Sequence, residues 1–236
     1  MPQRNRGKHP NDDKLFNEKW QAIIKEAVFD LSYLLTKGYG EKSALQLVGG
    51  RYRLNSRQQK ALMRLSGNRN IIEQSNLKTL LANQLKGKII EIDGFNLLIL
   101  LESALSGAYL FKCLDGNYRD ISSVHGSYKR VIQTEKSIEL IGNILQELQV
   151  KEVLWLLDSP VSNSGRLKQM LYSIAEKNQF PWEVELVHNP DTVLAVSENV
   201  VVSADAWILD KCKQWFNFNA YLIENQLDVQ HIIYAE

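Results

Sequence analysis

Three short apolar runs that each lead into an aspartate constrain this chain more than any other feature. Residues 88–92 read Lys-Ile-Ile-Glu-Ile and end at Asp93, with Gly94-Phe95-Asn96 directly behind. Residues 152–157 end at Asp158, and residues 199–203 lead through Ala204 to Asp205. Short runs of this kind, enriched in β-branched residues, read as buried strands. A further run over 182–187 and a weaker one over 220–223 bring the predicted strands to five. Helical spacing is expected over 97–105, 134–149, 165–178 and 204–215. Strands that alternate with helices pair in parallel, so the expected fold is α/β, a three-layer sandwich around a mainly parallel sheet. In such a sheet the carboxyl ends share one edge, where open α/β folds place their ligands. Asp93, Asp158 and Asp205 are therefore candidates for a single site.

Carboxylates that converge repel one another and raise each other's pKa unless a cation stands between them. The natural partners are Mg²⁺ or Mn²⁺, hard ions that take oxygen ligands and that polarise phosphoryl oxygens. An aspartate at a helix start is also an ordinary N-cap, and Asp-Ser-Pro is an ordinary turn, so the metal reading rests on the three together. Around them, Asn96 could hold Asp93 or a metal-bound water, and Ser159 and Ser203 could donate to phosphate. The insert over 109–133 reads as a long loop whose Arg119, Lys129 and Arg130 could grip a substrate or stabilise charge. His125 and His188 are isolated and need no special role.

Residues 1–14 are polar and basic and read as a disordered tail. Residues 15–86 read as a small all-helical domain, with Trp20, Ile23, Ile24, Ala27, Leu31, Leu34 and Leu35 at helical spacing. Its helices are expected over 16–36, 42–48, 55–65 and 70–85, and the sheet domain over 87–236. The net charge of +1 hides an asymmetry: residues 1–70 hold fourteen Lys and Arg against six Asp and Glu, and the remainder holds fourteen against twenty-one. A basic N-terminal module ahead of an acidic domain suggests nucleic acid as a partner. Arg51, Arg53, Arg57, Lys60 and Arg64 are the residues expected to meet phosphates. A rival reading makes residues 43–65 a helix-turn-helix in a non-catalytic nucleic-acid-binding or regulatory protein, with a degenerate sheet domain.

Several classes are disfavoured. Phe95 stands where a haloacid-dehalogenase phosphatase needs its second aspartate. Neither a dinucleotide-binding nor a phosphate-binding glycine motif follows a strand. No apolar run reaches the roughly 18 residues that span a bilayer, so no membrane partner is expected. Cys113 and Cys212 fit no metal spacing, and reduced thiols in a cytoplasmic protein are the default.

The run over 89–96, Ile-Ile-Glu-Ile-Asp-Gly-Phe-Asn, resembles the first motif of PIN-like nucleases, in particular their NYN branch. Residues 201–209 resemble the later Ser-x-Asp motif of that family, and Leu156-Leu157-Asp158 resembles the strand-end aspartate of flap-endonuclease-like relatives. The resemblance covers residues 87–225. The whole chain also looks like a prokaryotic family in which a small basic helical domain precedes such a sheet domain. What the resemblance implies is a PIN-like, Rossmannoid sheet and a Mg²⁺- or Mn²⁺-dependent nuclease, most readily a ribonuclease acting on RNA. It also implies one more acid from an intervening helix. Glu135 is ranked first for that role, ahead of Glu139 and Glu102.

Overall fold

A computed structural model describes residues 5–122 and 126–236. The first four residues of the expected tail and His125 lie outside the described residues. The N-terminal part is helical: α1 (Asp12–Leu15), α2 (Glu18–Thr36), α3 (Glu41–Arg51), α4 (Ser56–Leu65) and α5 (Arg69–Asn76). Local sequence fixes the ends. Asn17 caps α2 by accepting from the Trp20 amide, and Asn55 with Gln58 forms a reciprocal capping box at α4.

Residues 5–14 are not a free tail. Asp12 is 1% exposed and meets Arg57 through two hydrogen bonds of 2.5 and 2.8 Å, while Arg6 is ion-paired with the fully buried Glu102. A carboxylate that far from water requires such a partner. The helix expected over 70–85 stops at Asn76. Beyond it, the Leu80 amide donates to the Trp215 carbonyl at 2.8 Å and the Trp215 amide to Lys78 at 3.2 Å, which pulls the chain into an extended path.

The remainder runs β1 (Ile89–Asp93), α6 (Gly94–Leu105), β2 (Leu110–Lys112), β3 (Tyr118–Arg119), α7 (Thr134–Glu147), β4 (Glu152–Asp158), α8 (Ser164–Asn178), β5 (Trp182–Val187), α9 (Pro190–Ala195), β6 (Val200–Val202), α10 (Ala206–Lys211), α11 (Phe218–Gln226) and β7 (Ile232–Tyr234). Strands β5, β4, β1 and β6 form an all-parallel sheet in that order. Helices α6, α7 and α8 cover one face around Ile90, Ile92, Trp155 and Leu171. Leu194 from α9 and Ile208 and Leu209 from α10 cover the other with Leu156 and Val201. The fold is thus α/β with three layers, preceded by a helical region.

Two expectations need correction. Residues 220–223 are not a strand: they sit inside α11, which Asn217 caps by accepting from the Ala220 amide. The 109–133 segment is not simply a loop, because β2 pairs with β3 and with the C-terminal β7 in a second, three-stranded sheet. These strands are only two or three residues long, too short to show alternation in the sequence. One face of the small sheet, through Phe111 and Ile233, completes the core that Phe16, Ile24, Leu31 and Leu62 begin in the helical region. The other face, through Leu110 and Tyr118, packs on Leu100 and Ala104 of α6 and Ile223 of α11. Secondary structure changes near residue 87, but the apolar core crosses that point.

A fragment of residues 15–86 lacks the surface that Phe111 and Ile233 supply, so it is expected to show no cooperative thermal transition by circular dichroism. In the whole chain Ile233→Ala should cost about 2–4 kcal/mol and lower a single transition. A fragment that melts cooperatively would show that the helical region folds alone.

Candidate functional site

The chain winds outward from β1 to β4 and β5, then returns to place β6 on the opposite side of β1. The gap between the carboxyl ends of β1 and β6 is therefore the switch point of the sheet, where α/β folds leave a crevice. A cavity of about 880 Å³ opens there, lined by Asp93, Asn96, Asp158, Asp191 and Asp205 among others.

Asp93 closes β1 and caps α6 in one step. Gly94 permits that abrupt junction, since a Cβ there would lie 2.5 Å from Leu157 Cδ2 and 3.1 Å from the Leu156 carbonyl. Asp93 Oδ1 accepts from the Asn96 amide at 3.4 Å, and Oδ2 accepts from Ser203 Oγ at 3.0 Å. Ser203 Oγ in turn accepts from the Asp205 amide at 3.0 Å, and Asn96 Oδ1 accepts from the Ala204 amide at 3.3 Å. Asn96 and Ser203 thus tie the ends of β1 and β6 together and orient the carboxylate, rather than facing a phosphate. Burial pushes the Asp93 carboxyl up to about 7; Ser203 and the Asn96 amide oppose this, and Asp191 and Asp205 reinforce it.

Asp158 and Asp205 line the same cavity, so the three strand-end aspartates do meet at one mouth. A fourth acid joins them that the sequence reading missed. Asp191 lies in the first turn of α9, and desolvation followed by the charges of Asp205 and Asp158 raises its pKa. Its signal was present: Asn189-Pro190-Asp191 follows β5 after His188, and Pro at the start of α9 sets Asp191 in the first helical turn beside the end of that strand. Asp120 also lines the cavity, raised by burial and accepting from the Ser122 amide at 2.6 Å. As the side chains stand, no three His, Cys, Asp or Glu among the described residues are close enough together to enclose a metal ion.

Glu135 is not part of the site. It is exposed, paired with Arg130 at 2.9 Å, and absent from the cavity lining. Its position at the start of α7 points it to solvent, so it acts as a first-turn acid. Glu139 pairs with Lys177 at 3.2 Å. Glu102 is buried away from the mouth, accepting from Tyr128, Thr134 and Arg6. Lys129 and Ser159 are exposed and lie outside the lining.

Arg119 does reach the cavity wall, but its guanidinium is engaged. It is ion-paired with Asp115 and donates from Nε to the Ala204 carbonyl at 2.7 Å, so it positions the loop before Asp205. In the helical region Arg57 is held by Asp12, Arg51 lies 3.5 Å from Asp30, and Arg53 is an exposed turn residue with φ 52°. Arg64 alone of the five expected phosphate contacts lines the acidic cavity.

The raised pKa of Asp93 has a definite sign in stability. Between roughly pH 4, where an aspartate ionises in an unfolded chain, and about 7, the folded state holds a proton that the unfolded state lacks. Stability therefore falls as pH rises through that window, and the loss is complete above it. In EDTA at pH 8, Asp93→Asn should be more stable than the parent by on the order of 2 kcal/mol, a figure reduced for the carboxylate's remaining contact with cavity water. Near pH 4 the two thermal melting curves should coincide. A variant no more stable than its parent at pH 8 would refute the buried-charge account.

Residues 82–221 match the family described as a domain of unknown function, DUF5616, and residues 23–78 match the protein of unknown function DUF434. A relative in Methanocaldococcus jannaschii, uncharacterized protein MJ0935, is 32% identical over 188 residues, covering 77% of this chain and 90% of the relative. No solved structure matches the chain. Because the first of these family models matches more than half of the chain, the chain belongs to the DUF5616 family.

Proposed function

We propose that this protein is a metal-dependent nuclease, most readily a ribonuclease, that hydrolyses phosphodiester bonds at the carboxyl edge of its parallel sheet. The observation that carries the reading is the convergence of Asp93, Asp158, Asp191 and Asp205 on one cavity, where Asp191 is perturbed only by burial and by other carboxylates besides its own amide. Such a mouth attracts a cation. Its charged acids are all aspartates, whose carboxylate oxygens suit Mg²⁺ or Mn²⁺, and His188, which the sequence left without a role, also lines the cavity. Rotation of the carboxylates of Asp158, Asp191 and Asp205, none of them fully buried, toward Asp93 would close them on an ion.

When bound, such an ion would neutralise charge on a phosphoryl oxygen and make water a stronger nucleophile at neutral pH. The chain's own residues supply the rest. Ser203 and Asn96 hold Asp93 in one orientation, a role that needs no exposed group. Phe95, Ile99 and Leu100 form an apolar part of the wall, which limits bulk water and strengthens electrostatic contacts inside. Arg64 stands at the same cavity as a cation for an adjacent phosphate. A helix-turn-helix mode for the helical region is disfavoured, because Arg57 and Arg51 already have carboxylate partners. Cys113 and Cys212 are buried and free, and a cytoplasmic location accompanies the proposal. Among the described residues no helix is long and apolar enough to cross a membrane.

Purified protein with Mn²⁺ should cut single-stranded or structured RNA, followed by gel electrophoresis of end-labelled substrate. Asp93→Asn and Asp191→Asn should each reduce the rate at least a hundredfold without loss of the folded far-ultraviolet spectrum, whereas Glu135→Gln should cut at the parent rate. Undiminished cleavage by Asp93→Asn would remove the assignment.

A further inference from the structure

A second groove, of about 860 Å³, opens beside the acidic cavity and shares Arg64, Ser122 and Asp205 with it. It lies between α4 and α5 on the helical side and the start of α10 on the sheet side. Leu45, Met63 and Ile71 give it an apolar lining, and Lys60 and Arg64 of α4 add two cations. Of the acids along it, Asp115 is neutralised by Arg119 and Asp210 lies 2.7 Å from Lys211, which leaves Glu41 and the shared Asp205. Trp207, two residues beyond Asp205, lines the groove and is 49% exposed. Its amide donates to Asp205 Oδ1 at 2.8 Å, so the backbone that carries this indole is fixed to the acidic site. Trp207 stacks on no aromatic ring among the described residues.

We propose that this groove binds single-stranded nucleic acid as the strand leaves the acidic cavity, with a base stacked on Trp207 and neighbouring phosphates against Arg64 and Lys60. The path of the strand rests on the nuclease reading; the groove's ligand class rests on its own chemistry. Continuity decides the occupant. A strand whose phosphate lies at the carboxylate mouth passes Arg64 directly, and the groove beyond offers an aromatic face, an apolar floor and a cationic wall. Those are the elements by which proteins hold single strands without reading sequence. A duplex keeps its bases paired and stacked, so it cannot present one to the indole. The groove also gives the helical region a part in substrate binding that does not depend on Arg57 or Arg51.

The test uses the full chain carrying Asp93→Asn, with Mg²⁺ present, and fluorescence anisotropy of a labelled 12-nucleotide single strand, as RNA and as DNA, beside the matching RNA duplex. Single strands should bind at least tenfold more tightly than the duplex. Adding Trp207→Ala should weaken single-strand binding tenfold or more, Trp207→Phe should retain most of it, and Arg64→Ala should weaken it and flatten its salt dependence. Because Trp207 is half exposed, these variants should fold as the parent does. Unchanged binding in Trp207→Ala, or a duplex that binds as well as the single strand, overturns the proposal even if wild-type protein cuts RNA. Failure of every oligonucleotide to bind also overturns it and leaves the groove to a protein segment. Binding lost in Trp207→Ala, in a protein whose wild type with Mn²⁺ leaves RNA intact, upholds the groove and removes the nuclease.

Discussion

A carboxylate set at the end of a central strand loses much of its hydration, and in this fold two donors are all that Asp93 gains in return. One is the amide of its own helix, and the other is the hydroxyl of Ser203 at the end of β6. Two consequences follow from that shortage. The carboxyl holds its proton to about 7 rather than being strongly acidic, and the charges of Asp191 and Asp205 add to the effect of burial. The geometry is also over-determined. Gly94 lets α6 begin against β4 without a spacer, so Asp93 has no freedom to move back into water, and Asn96 fastens the backbone of Ala204 in the same stroke. Ser203 and Asn96 thus fasten β1 to the segment after β6 at the switch point, where the acidic cavity opens.

The second sheet joins the helical region and the α/β region through a shared apolar core. α6 is apolar nearly all round, from Leu97 through Leu101. A helix of that kind has to be covered on more than one side. The main sheet and α7 take one side, and β2, β3 and β7 take another. Phe111 and Ile233 then present the far face of the small sheet to α2 and α4, so the final strand of the chain completes a core begun by its first helices. Lys78 adds a polar clasp, donating from Nζ to the carbonyls of Leu209 and Asp210 at 2.9 and 2.7 Å. Lys60 and Arg64 line the same groove as Asp205.

The runs of β1 and β4 were legible because burial of most of their residues leaves a near-continuous apolar signal, and 182–187 because Trp182 and Val184 alternate with exposed glutamates. Residues 182–187 form a strand over the expected bounds, and 88–92 and 152–157 are displaced by only a residue. The meeting of Asp93, Asp158 and Asp205 followed from parallel pairing alone. What failed had physical causes of its own. β2 pairs with β7 across more than a hundred residues, and β2, β3 and β7 are all too short to carry a period. The apolar stretch 220–223 looks the same as a strand until Asn217 caps it into a helix. Asp191 escaped notice because it sits two residues into a helix rather than on a strand end. Arg57 and Arg119 were read as substrate contacts because their true partners, the buried Asp12 and the paired Asp115, give no sequence signal of their burial.

The charge asymmetry along the chain acquires a different meaning once those partners are known. The basic surplus of residues 1–70 suggested a continuous cationic face, yet Arg6, Arg51 and Arg57 each face an acid, one of them in the sheet domain. Asp12 and Asp30 already count among the six acids of residues 1–70, so of these three pairs only Arg6–Glu102 draws on the basic excess. Near the cavity that excess includes Lys60 and Arg64, on one helix wall. On the other side stand four carboxylates without a cation of their own among the residues that perturb Asp191. An anionic polymer meets net repulsion from such a mouth until a divalent ion fills it, and attraction from the groove beside it throughout. Substrate affinity in this architecture is thus expected to depend on the groove, and turnover on the ion, so the two can be lost independently.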